Sequence, residues 1–482
     1  GKMAKPIREP RATKIVATIG PRAETGGELV RLLSAGVDVV RINGAHCRPG
    51  DIARRVALVR AAEKALGRPV GVLLDLGGPK IRVGPIVGDT TVWAAGDLVE
   101  IVPGRVPGSG RTISVTYPAL LSEVEPGAEI RIADGLIRLK VEKRERGSLR
   151  ARVLAGGTVR KGAGVNLPSS ALSAPAVTPK DRRDLREGLE AGLEFVGLSF
   201  VRSVEHVKAL RRLIAAVPAE RRPWIVSKIE RVEAVRSLRE IAAASDVLMV
   251  ARGDLGVEIG LAAVPGVQRA ILAVGREKAV PVIVATQMLE SMVENPVPTR
   301  AEVSDVAGAV HDGADAVMLS GETAVGAHPI EAVATMDEIA RVAEAQRPVA
   351  VEAPERGATG ADHTPVVCDM AVVAARRAGA RAMVVYTASG RTARLLSKEG
   401  TRLPIVAITS SEEVRRRLTI LRNVVSYRIP ASSTVEGMIG NGDAVLRAHG
   451  LGGATVVEVS GAAALEGATN TVRIRTLRSP AR

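Results

Sequence analysis

Eight short apolar runs, rich in Val, Ile, Ala and Leu, constrain the fold of this 482-residue chain more than any other feature. The segments between most of these runs have the apolar spacing of helices, as at 26–35, 54–66 and 300–312. Strand–helix alternation repeated eight times is typical of a (β/α)8 barrel. The predicted strands are 14–20, 37–43, 70–76, 195–201, 224–230, 247–254, 282–287 and 316–322.

Two further regions depart from this alternation. Between residues 84 and 161 the helical period gives way to short alternating stretches with Gly and Pro turns, which predicts a β-rich lid inserted after strand three. Thr178, Pro179 and Asp181 then carry the signals of a helix start. We therefore predict a barrel at 1–83 and 162–346, the lid at 84–161, and a C-terminal α/β domain at 347–482.

The C-terminal domain has five predicted strands with helices between them, at 383–387, 404–409, 424–429, 455–460 and 472–476. This pattern favours a separate doubly wound sheet.

Composition excludes several classes of protein. The net charge is +15, which suits nucleic acid or small phosphorylated ligands, but aromatic residues are only 1% and offer few stacking platforms, so no nucleic-acid partner is expected. No apolar run has the length of a membrane helix. Cys47 and Cys368 form no Cys-x-x-Cys pair, so neither a disulfide framework nor a zinc site is indicated. A cytoplasmic enzyme is the expectation.

Most predicted strands end in groups that can do chemistry: R-I-N, S-K-I-E, A-R-G-D, A-T-Q and L-S-G-E. Active sites of such barrels lie at the C-terminal ends of the strands. A single strand can end in polar residues simply because it meets solvent there. Repetition over eight strands favours an active site instead.

Glu230 and Asp254 end neighbouring predicted strands, and two carboxylates are a usual way to hold Mg²⁺ at a phosphoryl-transfer site. Lys228 lies two residues before Glu230, so both side chains face the same side of the strand. An inward-facing ion pair that only fills the barrel would give the same pattern. Arg41, which can fork onto phosphate oxygens, and Thr286, which offers a hydroxyl for proton transfer, favour the catalytic alternative.

Two nucleotide-binding motifs are absent: the chain has no G-x-x-x-x-G-K-[ST], and no G-x-G-x-x-G follows a strand and opens a helix. Phosphates would then be held by metal ions, Arg and Lys.

Long motifs resemble those of pyruvate kinases. They are T-K-I-V-A-T-I-G-P at 13–21, S-K-I-E at 227–230, M-V-A-R-G-D-L-G-V-E at 249–258, A-T-Q-M-L-E-S-M and P-T-R-A-E-V-S-D-V within 285–306, and M-L-S-G-E-T-A at 318–324. The resemblance implies a three-domain homotetramer that transfers a phosphoryl group from phosphoenolpyruvate to ADP in glycolysis. It also implies Mg²⁺, with Mn²⁺ as an alternative.

The resemblance assigns roles to individual residues. Glu230 and Asp254 are expected to bind the metal, Arg41 and Lys228 to hold the transferring phosphoryl group, and Thr286 to belong to the path that protonates the enolate. Further matching positions are expected on the substrate and nucleotide side: Asn43, His46, Asp75, Arg82, Gly253, Asp254 and Ser320.

Departures from the family pattern carry a further prediction. In potassium-dependent relatives a Ser and a Thr help to hold a monovalent cation, and Ala45 and Leu76 stand at the matching positions. A Glu common in those relatives is Lys80 here. Loss of two hydroxyls and gain of an ammonium predict activity that does not require K⁺.

Other departures concern the lid and the loop after strand two. Ala163 stands where relatives have a basic residue before G-V-N-L-P, with Lys161 two positions away. Ala133 replaces a second Asp, and Gly44 and Cys47 alter the loop after Asn43. Unusual lid closure and nucleotide affinity are therefore expected.

T-A-S-G-R-T at 387–392 follows a predicted strand and opens a helix, so its hydroxyls and N–H groups suit a phosphate. It resembles the loop that binds phosphorylated effectors in regulated members, which implicates Thr387, Ser389, Gly390, Arg391 and Thr392. An ordinary capped turn is the alternative.

Two rival functions remain open at this point. One is a metal-dependent aldolase or lyase acting on a 2-oxo acid, which would turn over without nucleotide. The other is a catalytically silent paralogue that only binds sugar phosphate.

Overall fold

The computed structural model describes residues 11–168, 170–346, 356–358, 360, 362–432, 434–461 and 469–478. The chain begins as a barrel of alternating strands and helices. Its first elements are β1 (Lys14–Thr18), α1 (Gly26–Ser34), β2 (Val39–Asn43), α2 (Asp51–Leu66) and β3 (Gly71–Asp75).

A β-rich lid follows β3. Its elements are β4 (Thr90–Trp93), β5 (Leu98–Pro103), β6 (Thr112–Val115), α3 (Leu120–Glu123), β7 (Glu129–Ile132), β8 (Ile137–Arg144), β9 (Leu149–Ala155), β10 (Gly157–Arg160) and β11 (Val165–Asn166). Six strands form one sheet in the order β11-β7-β8-β9-β5-β6. Because β11 pairs with β7, the lid sheet extends past residue 161, where the sequence places the return to the barrel.

The barrel then resumes. Its strands and helices are α4 (Pro179–Ala191), β12 (Phe195–Leu198), α5 (Val204–Ile214), β13 (Trp224–Ile229), α6 (Val232–Arg236), α7 (Leu238–Ala244), β14 (Val247–Ala251), α8 (Arg252–Ile259), α9 (Val264–Glu277), β15 (Val282–Ala285), α10 (Arg300–His311), β16 (Ala316–Leu319), α11 (Gly321–Ala324) and α12 (Pro329–Gln346). The predicted cap of α4 is present, since Thr178 and Asp181 form a reciprocal capping box with Pro179 at the first position.

The eight strands close into a parallel barrel in the order β1-β2-β3-β12-β13-β14-β15-β16, and β16 pairs back onto β1. The predicted (β/α)8 barrel is thereby confirmed. The strands end earlier than predicted, however, and Asp254 lies in the first turn of α8 rather than at the end of a strand. Thr286 and Gln287 have φ of +71° and +54°, which no extended strand accommodates.

The C-terminal domain is a five-stranded sheet flanked by helices. Its elements are α13 (Thr364–Arg377), β17 (Ala382–Tyr386), α14 (Arg391–Ser397), β18 (Ile405–Thr409), α15 (Glu412–Arg417), β19 (Val424–Arg428), α16 (Val435–Ala448), β20 (Thr455–Gly461) and β21 (Thr469–Thr476). The strand order is β19-β18-β17-β20-β21, parallel except for the antiparallel edge strand β21. All five predicted strands are present.

The inside of the barrel and the C-terminal domain share one packed core. Inward-facing residues such as Val226 and Met249 belong to the same buried cluster as Leu395 and Leu418 of the C-terminal domain. Phe195 and Trp224 lie between the two, with their rings edge to face at 6.2 Å. The C-terminal domain therefore closes the floor of the barrel and leaves the opposite end for ligands.

No single helix among the described residues is long and apolar enough to cross a membrane; one pair bent by 116°, Arg252–Ile259 with Leu261–Glu277, passes by length and composition alone.

Candidate functional site

Lys228 is the centre of a charged cluster at the mouth of the barrel. Its Nζ lies 3.0 Å from Glu230 Oε1, 3.3 Å from Asp75 Oδ1 and 2.9 Å from the hydroxyl of Ser199. Burial lowers the pKa of Lys228, but the two carboxylates outweigh burial and raise that pKa above its ordinary value. Lys228 is therefore a fixed cation with a fixed position.

Asp75 joins Lys228 to Arg41. Arg41 donates from Nε and Nη2 to Asp75 Oδ2 at 2.9 and 2.7 Å, and from Nη1 to the Thr18 hydroxyl at 2.9 Å. Thr18 in turn donates to the carbonyl of Leu319 at 3.0 Å. Burial would raise the pKa of Asp75, yet Lys228 and Arg41 together lower it below its usual range. The guanidinium and the ammonium are thus held side by side by one ionised carboxylate.

Glu230 and Asp254 supply two further carboxylates. Glu230 is 1% exposed and accepts from the backbone N–H of Phe200 at 2.6 Å. Burial raises the pKa of Glu230, and the nearby charge of Asp254 raises it further against the effect of Lys228. The first turn of α8 therefore brings Asp254 close enough to repel Glu230.

The net charge of this cluster favours a bound divalent cation. Three carboxylates face two cations, so the five side chains carry a net charge of −1 when all are ionised. Among the described residues no group of three or more His, Cys, Asp and Glu side chains could hold a metal ion. Two carboxylate donors fit Mg²⁺, which keeps most of its octahedral shell for water and substrate oxygens.

Thr286 lies beside Asp254 in a strained turn. Its hydroxyl accepts from the N–H of Gly253 at 2.8 Å, which ties the turn after β15 to the start of α8. Arg252 donates to the carbonyl of Thr286 at 2.7 Å and pairs with Asp305 at 2.8 Å. These contacts hold a non-glycine residue at positive φ, a feature typical of functional sites.

Ser320 offers an unsatisfied hydroxyl. Its Oγ is buried and has no hydrogen-bond partner among the described residues, although its N–H donates to Glu322 at 2.7 Å. Leu319, which binds Thr18, precedes it directly. A buried orphan donor at this rim is consistent with a polar ligand.

Of the other predicted residues, Asn43 stands next to Asp75 in the barrel sheet, whereas Arg82 and Lys161 contact the lid. His46 is exposed on the loop after β2, and the Asn43 side chain accepts from the N–H of Ala45 at 3.2 Å. Arg82 donates to the carbonyl of Gly162 at 2.9 Å at the hinge of the lid. Lys161, two positions from Ala163, pairs with Asp89 at 2.7 Å within the lid. In this structure Lys161 faces Asp89 rather than the mouth of the barrel.

Lys80 lies at the junction between the lid and the barrel. A cavity of about 30 Å³ there is lined by Lys80, Asn166, Phe200 and Asp254, among others. The Cε atom of Lys80 is 3.5 Å from the position that a Cβ at Gly164 would take. The ammonium therefore belongs to the same mouth as Asp254.

The predicted effector loop has an ordered turn. Thr387 Oγ1 accepts from the N–H of Gly390 at 2.9 Å, and Ser389 Oγ accepts from the N–H of Arg391 at 3.4 Å. The Arg391 guanidinium pairs with Asp362. The Thr392 hydroxyl is buried and bonds to that of Thr469 at 2.6 Å, so Thr392 faces the protein rather than the loop's open side.

Sequence reasoning missed Ser199, Thr18 and Arg252. All three follow the rule used for the other residues, because Thr18 ends β1, Ser199 follows β12 and Arg252 follows β14. A small hydroxyl at such a position carries no distinctive motif. Only the packing shows that Ser199 bonds Lys228 and that Thr18 bonds Arg41.

Comparisons with known proteins agree with these features. A family model described as "Pyruvate kinase, barrel domain" matches residues 10–333, and one described as "Pyruvate kinase, alpha/beta domain" matches residues 366–475. A pyruvate kinase of Corynebacterium glutamicum is 40% identical over 470 residues, covering 97% of this chain and 98% of that protein. One from Mycobacterium tuberculosis is 41% identical over 434 residues, covering 89% and 90%.

A solved structure gives the same result. The crystal structure of a pyruvate kinase from Cryptosporidium parvum matches with a TM-score of 0.90 and 33% identity. The match covers 97% of this chain and 96% of that one. The likeness therefore includes the lid and the C-terminal domain as well as the barrel.

Proposed function

This chain belongs to the pyruvate kinase family, and we propose that it transfers a phosphoryl group between phosphoenolpyruvate and ADP without needing K⁺ and under the control of a phosphorylated effector. The resemblance of its motifs to that family is confirmed. The observation that carries the proposed chemistry is the position of Lys228 between Asp75 and Glu230. A coupled assay of pyruvate formation, with and without Mg²⁺ and ADP, tests the reaction itself.

We assign the phosphoryl group to Arg41 and Lys228. Two cations held side by side by Asp75 can offset the charge of the group as its bond to the enol oxygen breaks and its bond to the terminal oxygen of ADP forms. Mg²⁺ held by Glu230 and Asp254 would supply electrophilic stabilisation of substrate oxygens. Lys228 must stay protonated for this role, and its two carboxylate partners ensure that it does.

The remaining step is protonation of the enolate at C3, which gives pyruvate. The Thr286 hydroxyl is held beside Gly253 and is the group we assign to the proton path. A positioned hydroxyl within reach of the reacting carbon can relay a proton to it. Turnover of a 2-oxo acid without nucleotide would contradict the assignment and favour an aldolase or lyase. Absence of turnover with sugar phosphate binding intact would favour a silent paralogue.

Independence from K⁺ is supported by the absence of side-chain oxygens at two positions that help to bind the cation in potassium-dependent relatives. Ala45 and Leu76 have no side-chain oxygen, and the Leu76 carbonyl already accepts from the Ser199 hydroxyl at 2.7 Å. Lys80 adds an ammonium at the same mouth. The Lys80 ammonium would supply the positive charge that a bound K⁺ supplies in those relatives.

Replacing K⁺ rigorously by tetramethylammonium tests this proposal. We expect kcat/KM to change by less than about twofold in the wild type, and Lys80→Glu to lose about tenfold without K⁺ and to regain part of it with K⁺. Lys161→Glu, which makes the same charge change in the lid, is the control and should show no K⁺ response. An absolute K⁺ requirement in the wild type would rule the proposal out.

Effector binding is supported by the turn at 387–391 and by its contact with the barrel. Gly390 has φ of +90°, and a Cβ there would lie 3.5 Å from the ring of Trp224. Arg394, on the helix α14 that follows the turn, lies over that ring, 5.7 Å from its centre. Trp224 begins β13, the strand that carries Lys228 near its other end. A ligand on the loop would therefore act next to a strand of the active site.

Trp224 also supplies the measurement. It is one of two tryptophans, so a Trp93→Phe background isolates its fluorescence. We expect AMP or a sugar phosphate to change that fluorescence saturably, and Thr387→Ala and Ser389→Ala to weaken binding about tenfold each. Unchanged activation and binding in both variants would contradict an effector site here.

We also propose a homotetramer in the cytoplasm, supported by family membership alone. Light scattering should give about four times the 50.3 kDa chain mass.

A further inference from the structure

A buried ion pair lies directly behind the two carboxylates proposed to hold the metal. Arg231, the residue after Glu230, places Nη1 3.1 Å from Oε1 of Glu258. Glu258 is on α8, four residues after Asp254 and so on the same face of that helix. The side chain of Arg231 is 5% exposed and that of Glu258 is 0% exposed. Each partner therefore belongs to the element that presents one of the two metal carboxylates.

A buried ion pair of this kind is weak evidence for a role in stability. Removing two charges from water is costly, and apolar residues of similar volume are commonly as stable. Oε2 of Glu258 is buried without a hydrogen-bond partner among the described residues, which adds a further cost. What the pair supplies is a directional contact between the end of β13 and helix α8.

We propose that the Arg231–Glu258 ion pair sets the separation of the Glu230 and Asp254 carboxylates and so is a positioning pair for the divalent ion. The inference rests on the proposed metal role of Glu230 and Asp254. Arg231 directly follows Glu230, so anchoring its guanidinium restrains the backbone that carries the metal carboxylate. Glu258 is one helical turn from Asp254, so the same contact fixes the orientation of α8.

The pair also fixes the return of the lid to the barrel. Arg231 Nη2 donates to the carbonyl of Ser170 at 3.3 Å, on the segment that follows β11. Arg131 of lid strand β7 donates to the carbonyl of Val257, next to Glu258. Since Val257 is in the last turn of α8, its carbonyl lacks a partner within the helix, and a cation there is favourable. The lid and the two metal-holding elements thus meet at one point.

Metal binding to the unliganded protein tests the proposal directly. Free Mn²⁺ is measured by electron paramagnetic resonance during titration, and the Mg²⁺ concentration for half-maximal rate is measured at saturating substrates. Arg231→Met leaves Glu258 buried and unpaired and can unfold the chain. The decisive variant is therefore the double change Arg231→Met with Glu258→Leu, which removes both charges and keeps the volume.

We expect the double variant to fold and to weaken both metal constants about tenfold, and Arg231→Lys to weaken them about threefold. Lys208→Met, which breaks an exposed ion pair with Glu205 on α5, should leave both constants unchanged. A folded double variant whose Mn²⁺ affinity stays within twofold of the wild type would overturn the proposal. Asp254→Asn separates the two ideas: if it binds Mn²⁺ normally, the metal site itself is misassigned.

Discussion

Two lysines at opposite ends of the barrel have different electrostatic surroundings. At the mouth, Lys228 faces two carboxylates, and its pKa is raised despite burial. At the floor, Lys398 of the C-terminal domain pairs with Asp315, the one carboxylate that contacts it among the described residues, and burial lowers its pKa. The difference lies in the supply of counter-charge. An excess of carboxylates marks a cation kept for a ligand, whereas one carboxylate for one ammonium marks a contact between domains.

Removing the ammonium at the mouth should have the largest effect. Lys228→Met is expected to lower kcat about 10³-fold or more, because a preorganised charge at the phosphoryl group is lost. The coupled assay measures the rate, and circular dichroism checks that the variant is folded. Activity within tenfold of the wild type would show that Lys228 is not required for catalysis and would contradict its assigned role.

The floor lysine should behave in the reverse way. Lys398→Met leaves Asp315 buried and unpaired, so we expect the free energy of unfolding to fall by about 3 kcal/mol while kcat at 25 °C stays within about twofold. Urea denaturation gives the first quantity and the coupled assay the second. Adding Asp315→Leu should restore part of the stability, since no unpaired charge then remains. Loss of kcat without loss of stability would show that Lys398 acts in catalysis rather than in the contact between the domains.

The mouth also depends on the Thr286 hydroxyl. Thr286→Val is expected to lower kcat about 100-fold through the proton path, whereas Thr286→Ser, which keeps the hydroxyl, should lose less than tenfold. Steady-state kinetics with both variants gives the answer. Equal losses would show that the turn geometry, rather than the hydroxyl, is what matters.

The floor should show a pH dependence of stability. Burial raises the pKa of Glu399 to about 7, although Arg356 pairs with it, and the charge of Asp369 acts in the same direction as burial. Folding favours the protonated form, so this contribution is complete below the ordinary pKa of about 4.5 and is lost as pH rises through about 7. Stability should fall on the order of 2 kcal/mol over this interval. Urea midpoints of wild type and Glu399→Gln compared from pH 5 to 8 check it, and parallel curves would contradict it.

The smallest expected effect concerns the third partner of Lys228. Ser199→Ala removes the hydrogen bond from Lys228 and the one to the Leu76 carbonyl but leaves both carboxylates, so we expect kcat to fall about tenfold with little change in the pH profile. A loss as large as that of Lys228→Met would mean that the carboxylates alone do not position the ammonium.

The barrel was predictable because its signal is repeated. Eight apolar runs separated by helical spacing fix both the strand count and the end at which polar residues gather. The strand ends were less predictable. Asp254 lies in the first turn of α8, and Thr286 lies in a left-handed turn that the Arg252 side chain and the Gly253 N–H hold in place.

The site was predictable where a charged residue stands at a strand end, as with Lys228 and Glu230. Partners distant in sequence, such as Arg231 with Glu258 or Thr18 with Arg41, follow from packing and carry no local signal. The C-terminal strands were found by the same apolar runs, yet nothing in the sequence indicated that this domain would share a core with the inside of the barrel.

That shared core makes the catalytic barrel inseparable from its neighbour. Cutting the chain after α12 would uncover the underside of Phe195 and Trp224 together with the inward-facing Val and Met side chains behind them. An excised barrel would expose this apolar surface to water and would aggregate or bind another protein there. A barrel of this type without the C-terminal domain would first need polar side chains on its floor.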